Sequence, residues 1–149
     1  MQDADVHGFG NRTELGWAFL GVGFEYLRYR EETPDDELEL WAIEGLWRFS
    51  MHRTFKLDLA MGGRIFDGNS KYEGMQAGLS VGIYPYPAIG LESDLRWAEI
   101  GNNALGDYQV AAVIRYPAFR YVFVRTNYRW LTLGEETIHG PTVGLGAVF

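Results

Sequence analysis

Apolar and polar residues alternate with a period of two along most of this chain. Over residues 55–65, for example, Phe55, Leu57 and Leu59 share one face, while Lys56 and Asp58 share the other. This is the spacing of a β-strand whose two faces meet different surroundings. Eight runs of this kind predict eight strands, over residues 13–30, 41–49, 55–65, 75–83, 89–97, 108–116, 122–130 and 143–149.

The connections between these runs alternate in predicted length. Short connections surround residues 51–53, 85–87 and 117–119, whereas longer polar ones cover residues 30–37, 67–73, 101–106 and 134–139. In an up-and-down meander, alternate connections lie at opposite ends of the sheet. The pattern therefore predicts short turns at one end and longer loops at the other, which is the arrangement of outer-membrane barrels.

Charged residues recur in the middle of the polar faces rather than only at strand ends. If the polar face lines a barrel, these charges are buried and need partners of opposite sign. Both signs are present, so we predict a lumen charge network. Its members are Glu44, Arg48, Lys56, Asp58, Arg64, Glu92, Asp94, Arg96, Arg115, Arg125 and Arg129.

Periodicity alone leaves two barrels open. A soluble, lipocalin-like carrier of an apolar ligand would turn its apolar face inward, whereas a membrane barrel would turn it outward to lipid. Three features favour the membrane barrel: the small residues on the polar face, the charges of both signs there, and the aromatic residues near strand ends, such as Trp41, Trp97 and Trp130. We therefore predict an all-β, eight-stranded antiparallel up-and-down transmembrane β-barrel.

Charge and composition exclude some functions. The formal net charge of −7 argues against nucleic-acid binding, which requires a surplus of basic residues on one surface. The chain has no cysteine, so it forms neither disulfides nor thiolate metal sites. His7, His52 and His139 are too scattered for a zinc site, and we predict neither a metal nor a cofactor.

The last residues of the chain resemble a known signature. Residues 143–149 alternate apolar residues and end on Phe149, as the last strand of bacterial outer-membrane barrels does. With eight predicted strands, the chain is similar to the outer-membrane protein A transmembrane domain and its small relatives. The resemblance implies that Phe149 is an assembly signal read by the barrel-assembly machinery.

The same resemblance implies a location in the bacterial outer membrane. Both termini would lie in the periplasm, and the longer loops would lie outside the cell. Residues 1–149 would form a single outer-membrane β-barrel domain, with residues 1–12 as a flexible periplasmic N-terminal segment. The expected partners are outer-membrane lipid and lipopolysaccharide, and we expect a monomer.

Some barrels of this size resemble enzymes that modify lipid A with Ser and His at the outer rim. The corresponding pair here is Ser70 with His139, oriented by Glu135 or Glu136. The alternative for His139 is a plain loop histidine. Catalysis of lipid A acyl chemistry at the outer leaflet therefore remains an alternative function.

Two groups of carboxylates have alternative interpretations. Glu92 and Asp94 share a face, but Arg96 lies on the same face, which favours a structural ion network over acid–base catalysis. The loop over residues 30–37 is acidic and lacks the spacing of a calcium loop. It is either simply exposed or shares divalent cations with lipopolysaccharide phosphates.

The function predicted from the sequence is therefore a non-enzymatic membrane barrel. It is a structural anchor or surface-interaction module with a polar, plugged lumen and acidic extracellular loops. Eight strands leave room inside for side chains rather than for a water-filled pore.

Overall fold

The computed structural model describes residues 6–17, 19–32, 35–52, 54–67, 71–101, 103–115, 122–134 and 136–148. These residues form one barrel-shaped sheet. Its strands are β1 (Val6–Trp17), β2 (Leu20–Glu32), β3 (Asp35–His52), β4 (Phe55–Asp67), β5 (Tyr72–Tyr86), β6 (Ile89–Ile100), β7 (Asn103–Arg115), β8 (Val122–Leu133) and β9 (Glu136–Val148). Consecutive strands pair antiparallel, and β1 also pairs with β9, which closes the barrel. No helix in the described ranges is long and apolar enough to cross a membrane.

The all-β barrel is as predicted, but the count of eight strands is wrong. The run over residues 13–30 contains parts of two strands, β1 and β2. They pair continuously from Trp17 and Leu20, next to the turn, to Val6 and Glu31. This turn was missed because apolar residues continue through it without Gly, Pro, Asn or Asp as a turn signal. The predicted flexible segment is also wrong over residues 6–12, which belong to β1, while residues 1–5 lie outside the described ranges.

Nine strands place the first and last described residues, Val6 and Val148, at opposite ends of the barrel. The expectation that both termini lie at one end is therefore wrong. One end carries the starts of β1 and β9 and the connections at residues 33–34, 68–71, 101–102 and 134–135. Because the outward-facing residues Asp67, Glu73 and Glu99 lie beside it, we call it the acidic end, and the other the opposite end.

The connections at the acidic end were predicted to be long, but they are short. The strands themselves extend into the segments predicted as loops: β2 reaches Glu32 and β3 begins at Asp35. Gly101 and Gly134 lie in two of these turns with φ of +60° and +63°, a region that favours glycine. Most residues of the segments predicted as loops therefore belong to strands.

Side chains alternate strictly between the inside and the outside of the barrel. Along β8, for example, every second residue from Phe123 to Leu131 is buried, and the intervening ones are exposed. Glycines on the inner wall leave room for long side chains, since a Cβ on Gly78 would lie 2.1 Å from Cδ of Arg96. The predicted outward direction of the apolar faces is therefore correct, and the polar faces point inward.

Candidate functional site

The interior of the barrel contains a neutral set of charged side chains. Seven basic and seven acidic residues are buried among the described residues. The basic residues are Arg12, Arg48, Lys56, Arg64, Arg96, Arg125 and Arg129, and the acidic ones are Glu14, Glu25, Glu44, Asp58, Glu92, Asp94 and Asp107. Such charges are tolerated inside a protein only when they are paired and hydrogen-bonded.

Nearest the acidic end, four of these residues form a compact group. Arg129 donates from Nε to Oδ1 of Asp107 at 2.8 Å and from Nη1 to Oε1 of Glu25 at 3.0 Å. Arg64 donates from Nη2 to Oδ2 of Asp107 at 2.9 Å and to Oε2 of Glu25 at 3.4 Å. Two arginines thus share two carboxylates supplied by β2 and β7.

The middle of the barrel is organised around Glu44. Its carboxylate accepts two hydrogen bonds from Arg96, at 2.9 Å from Nε and 3.0 Å from Nη2, and pairs with Arg12 as well. Gln76 adds a donor at 3.1 Å. This bidentate geometry is the strongest form of arginine–carboxylate pairing. Arg12 also donates to Glu14 at 2.9 Å, which connects this group to the next.

The third group lies toward the opposite end. Lys56 bridges Asp58 and Glu92, with its Nζ 3.1 Å and 3.2 Å from their oxygens. Arg125 pairs with Asp94 and lies 3.5 Å from Glu92. Arg48 completes the group by donating to Asp58 at 3.3 Å. Glu14 also lies 3.8 Å from Arg48, so the second and third groups are connected, while the first group lies nearer the acidic end. Together we call the three groups the ion network.

The membership of the network differs from the prediction by one residue that does not belong and four that were not predicted. Ten of the eleven predicted residues are buried inside. The exception is Arg115, which is only half-buried and lies over the Tyr84 ring, 4.4 Å from its centre, rather than beside a carboxylate of the described residues. Four members were missed: Arg12, Glu14, Glu25 and Asp107.

A signal for the missed residues was present in the sequence. Arg12 and Glu14 alternate with outward residues on β1, which the prediction divides between a flexible segment and the start of one long strand. Extending the period of two backward from Gln109 places Asp107 on the inner face. Glu25 follows Gly21 and Gly23 on the inner face of β2 in the same way.

Apolar clusters lie inside the barrel on both sides of the ion network. The larger cluster lies at the acidic end and consists of Leu27, Tyr29, Leu40, Ala42, Phe66, Ala98, Ile100, Leu105 and Leu131. A smaller one at the opposite end consists of Tyr84, Val113 and Phe123. The lumen is therefore not polar throughout, which the alternation alone did not predict.

The outer surface carries an apolar belt. On β3, outward positions from Trp41 to Phe49 span nine residues, about the 9–11 that a tilted strand needs to cross a bilayer. No Asp, Glu, Lys or Arg points outward within this span. Exposed members of the belt on other strands include Leu20, Val22, Phe24, Leu59, Met61, Met75, Ile83, Leu91, Trp97, Ile114, Val124, Val143 and Leu145.

Aromatic side chains gather on the outer surface toward the acidic end. Tyr26 packs against Trp41 with ring centres 4.3 Å apart, and Tyr128 packs against Trp130 at 4.7 Å. Tyr26 also donates its hydroxyl to Glu39 at 2.9 Å. A ring such as that of Tyr26, whose hydroxyl points toward the acidic end, has the amphipathic character of side chains at a membrane–water boundary.

The sequence predicts His139 in a loop, but the residue lies on the outer face of β9. Its Nδ1 lies 2.8 Å from the hydroxyl of Tyr128, on the neighbouring strand. Ser70, Glu135 and Phe149 lie outside the described residues, and the side chain of Glu136 is not described. The proposed Ser70–His139 pair and the assembly signal at Phe149 thus remain predictions.

No metal-binding arrangement emerges from the described residues. They contain no group of three or more His, Cys, Asp or Glu side chains placed to hold an ion. Of the acidic connection between β2 and β3, only the backbone at the strand ends is described. Each buried carboxylate of the described residues instead lies within 4 Å of an arginine or lysine, and these ion pairs connect different strands.

The comparisons with known proteins add no family to this picture. No protein-family model, curated protein or solved structure matches the chain.

Proposed function

We propose that this chain is an integral β-barrel of the bacterial outer membrane that anchors its acidic rim as a structural component or a surface-interaction module. The observation that carries the proposal is the inverted distribution of side chains. Fourteen charged residues are buried inside among the residues described, and the outer surface carries an apolar belt. A hydrocarbon environment favours both features, because it covers the apolar belt while the charged side chains stay inside the barrel.

A soluble carrier of an apolar ligand fits this arrangement poorly. Such a carrier needs an apolar interior and a polar exterior. Here Trp17, Ile43, Met75 and Leu91 are among many large apolar side chains that are at least half exposed, with values of 59%, 60%, 73% and 60%. In water, a belt of this extent would drive association, because exposed apolar patches of soluble monomers are small.

The interior supports a barrel without a conducting pore. Arg64, Arg96 and Arg129 are each only 1% exposed, so their guanidinium groups occupy the space through which ions would pass. The two apolar clusters then close the interior above and below the ion network. We accordingly propose a sealed anchor rather than a channel, and a non-enzymatic one.

The charges outside the barrel favour one orientation. The opposite end, where the last strand finishes, would face the periplasm, and the acidic end would face outward. Asp67, Glu73 and Glu99 would then lie level with the phosphates of lipopolysaccharide, where divalent cations bridge groups of like charge. Lipid and lipopolysaccharide are the partners we propose, with the barrel-assembly machinery acting during insertion.

Folding assays with and without lipid test this proposal. The urea-denatured chain should fold when diluted into vesicles or detergent, and the unboiled product should migrate differently from the boiled one on a gel. Dilution into buffer alone should give aggregates. A folded, soluble monomer in buffer without detergent would contradict the proposal.

A further inference from the structure

One boundary between strands is built differently from all the others. Across the seam between β1 and β9, only two described residue pairs are in register, Leu15 with Ala147 and Gly16 with Val148. Every other neighbouring pair of strands has eleven to thirteen such pairs. The seam is also parallel, while all others are antiparallel. The barrel therefore has a single weak boundary within its described residues.

The two strands nevertheless lie side by side along much of their length. A Cβ on Gly10 would lie 3.4 Å from Cβ of Thr142, and one on Gly144 would lie 3.3 Å from the carbonyl oxygen of Arg12. The two strands are thus in contact beyond the two pairs that are in register. In a bilayer, unpaired backbone groups are costly because no water replaces the missing partner.

The outer face of β1 is unusual as well. Asn11 and Thr13 point outward, and both are exposed. On β3, by contrast, the outward positions from Trp41 to Phe49 are apolar apart from Gly45. Polar outward side chains and the incomplete ladder thus occur together on β1.

The direction of the strands indicates what would complete the seam. An odd number of strands forces β1 and β9 to run parallel, whereas single-chain bacterial outer-membrane barrels have an even number of antiparallel strands. One additional strand running antiparallel to both would pair with each by an ordinary antiparallel ladder. Because β1 and β9 already lie side by side, the seam has to open to admit this strand. We propose that the β1–β9 seam opens and binds one further β-strand by β-strand addition. This inference rests on the proposed membrane location.

The surroundings of the seam define the chemistry of that strand. It should span about 9–11 residues, the length that crosses a bilayer. Its outward residues should be apolar, to continue the belt from Val143 and Leu145. Its inward residues should be small and uncharged, because the buried charges of the described residues already balance at seven of each sign and an added charge would have no partner.

A synthetic peptide serves as the probe. The sequence of β5 over residues 75–83 has apolar outward residues and uncharged inward residues, Gln76, Gly78, Ser80 and Gly82. Labelled with a fluorophore, it should bind the vesicle-inserted chain with a stoichiometry of one, and a scrambled peptide should not. Hydrogen exchange should then slow at both β1 and β9, by about tenfold or more.

A reversible lock on the seam supplies the matched control. The chain lacks cysteine, so Gly10→Cys with Thr142→Cys introduces one disulfide across the seam, at a Cβ separation close to that of natural disulfides. Oxidation should weaken peptide binding by about tenfold or more, and reduction should restore it. A disulfide between Leu59→Cys and Leu79→Cys, which face each other across β4 and β5, should leave binding unchanged.

Several results would overturn the proposal. The proposal is wrong if the peptide does not slow hydrogen exchange at both strands, or if it binds the locked and unlocked seams equally well. It is also wrong if hydrogen exchange at β1 and β9 of the free chain is as slow as exchange at β4 and β5. Slow exchange accompanied by a dimeric mass would assign the seam to a second copy instead. Hydrogen exchange on the unaltered chain decides the matter if the double-cysteine variant does not fold.

The membrane proposal is tested separately by flotation of the chain with vesicles. If the chain does not float, the membrane proposal fails, and peptide binding in detergent micelles then decides whether the seam accepts a strand.

Discussion

Asp107 is the residue whose loss should weaken the ion network most clearly. Its carboxylate is fully enclosed and accepts hydrogen bonds from two arginines, Arg129 at 2.8 Å and Arg64 at 2.9 Å. Asp107→Asn keeps the shape of the side chain and removes its charge. Both guanidinium groups then share Glu25 as their remaining carboxylate, and the balanced interior gains one uncompensated positive charge.

The expected destabilisation follows from the burial of these partners. Removing one member of a buried ion pair costs about 3–5 kcal/mol, because the remaining charge stays desolvated. The retained contacts with Glu25 place Asp107→Asn at the lower part of that range, about 3 kcal/mol. Equilibrium urea unfolding from vesicles, followed by tryptophan fluorescence, measures the loss. Asp67→Asn, at an exposed outward position, is the matched control and should change stability by less than about 0.5 kcal/mol.

A double-mutant cycle separates the ion pair from the general effect of each change. Arg129→Met alone should also be costly, since it leaves Asp107 without its closest partner. The double variant Asp107→Asn with Arg129→Met removes both charges and should cost less than the sum of the single changes, by about 1 kcal/mol or more. Additive losses, or a loss below about 1 kcal/mol for Asp107→Asn, would refute the reasoning.

Three further predictions concern the belt, the inner wall and the sealed lumen. Leu79→Arg, at an outward position in the middle of β5, should lower the free energy of unfolding in bilayers by about 2–4 kcal/mol. Glu99→Arg, near the rim, should lower it by only about 0–1 kcal/mol. Equal losses in urea unfolding would contradict the lipid-facing assignment. Gly62→Ala should destabilise the barrel by about 1–3 kcal/mol, because the added Cβ would lie 1.9 Å from a backbone oxygen. Gly63→Ala is the control and should be tolerated, because its Cβ would lie 4.0 Å from the nearest atom. A smaller loss of stability at Gly62 than at Gly63 in the same assay would count against the packed inner wall. Planar bilayers containing the chain should show no stable single-channel conductance, and large uniform current steps would exclude a plugged interior.

The direction of the side chains was predictable because a period of two assigns them to alternate faces. Leu59 and Met61 are exposed, and Asp58 and Arg64 are buried, as the alternation over residues 55–65 requires. The strand count was less predictable. The alternation marks a change of strand only where a turn residue interrupts it, and the turn between Trp17 and Leu20 has none.

The partners within the network were beyond prediction for a different reason. Arg129 and Glu25 are 104 residues apart in sequence, and their contact depends on the stagger of every strand between them. The alternation shows that a charge points inward but not the height at which it lies. For the same reason, the apolar residues Leu40 and Leu131 were not recognised as parts of one cluster at the acidic end.

The central claim is that the outer face of the barrel contacts lipid, and the tryptophans test it most directly. Trp17, Trp41, Trp47, Trp97 and Trp130 are all the tryptophans of the chain, and all point outward, with 36–59% of their surface exposed. Fluorescence should therefore be strongly quenched in vesicles of lipids brominated on their acyl chains, and only weakly by acrylamide in the water. Strong quenching by acrylamide with none by the brominated lipids would contradict the account.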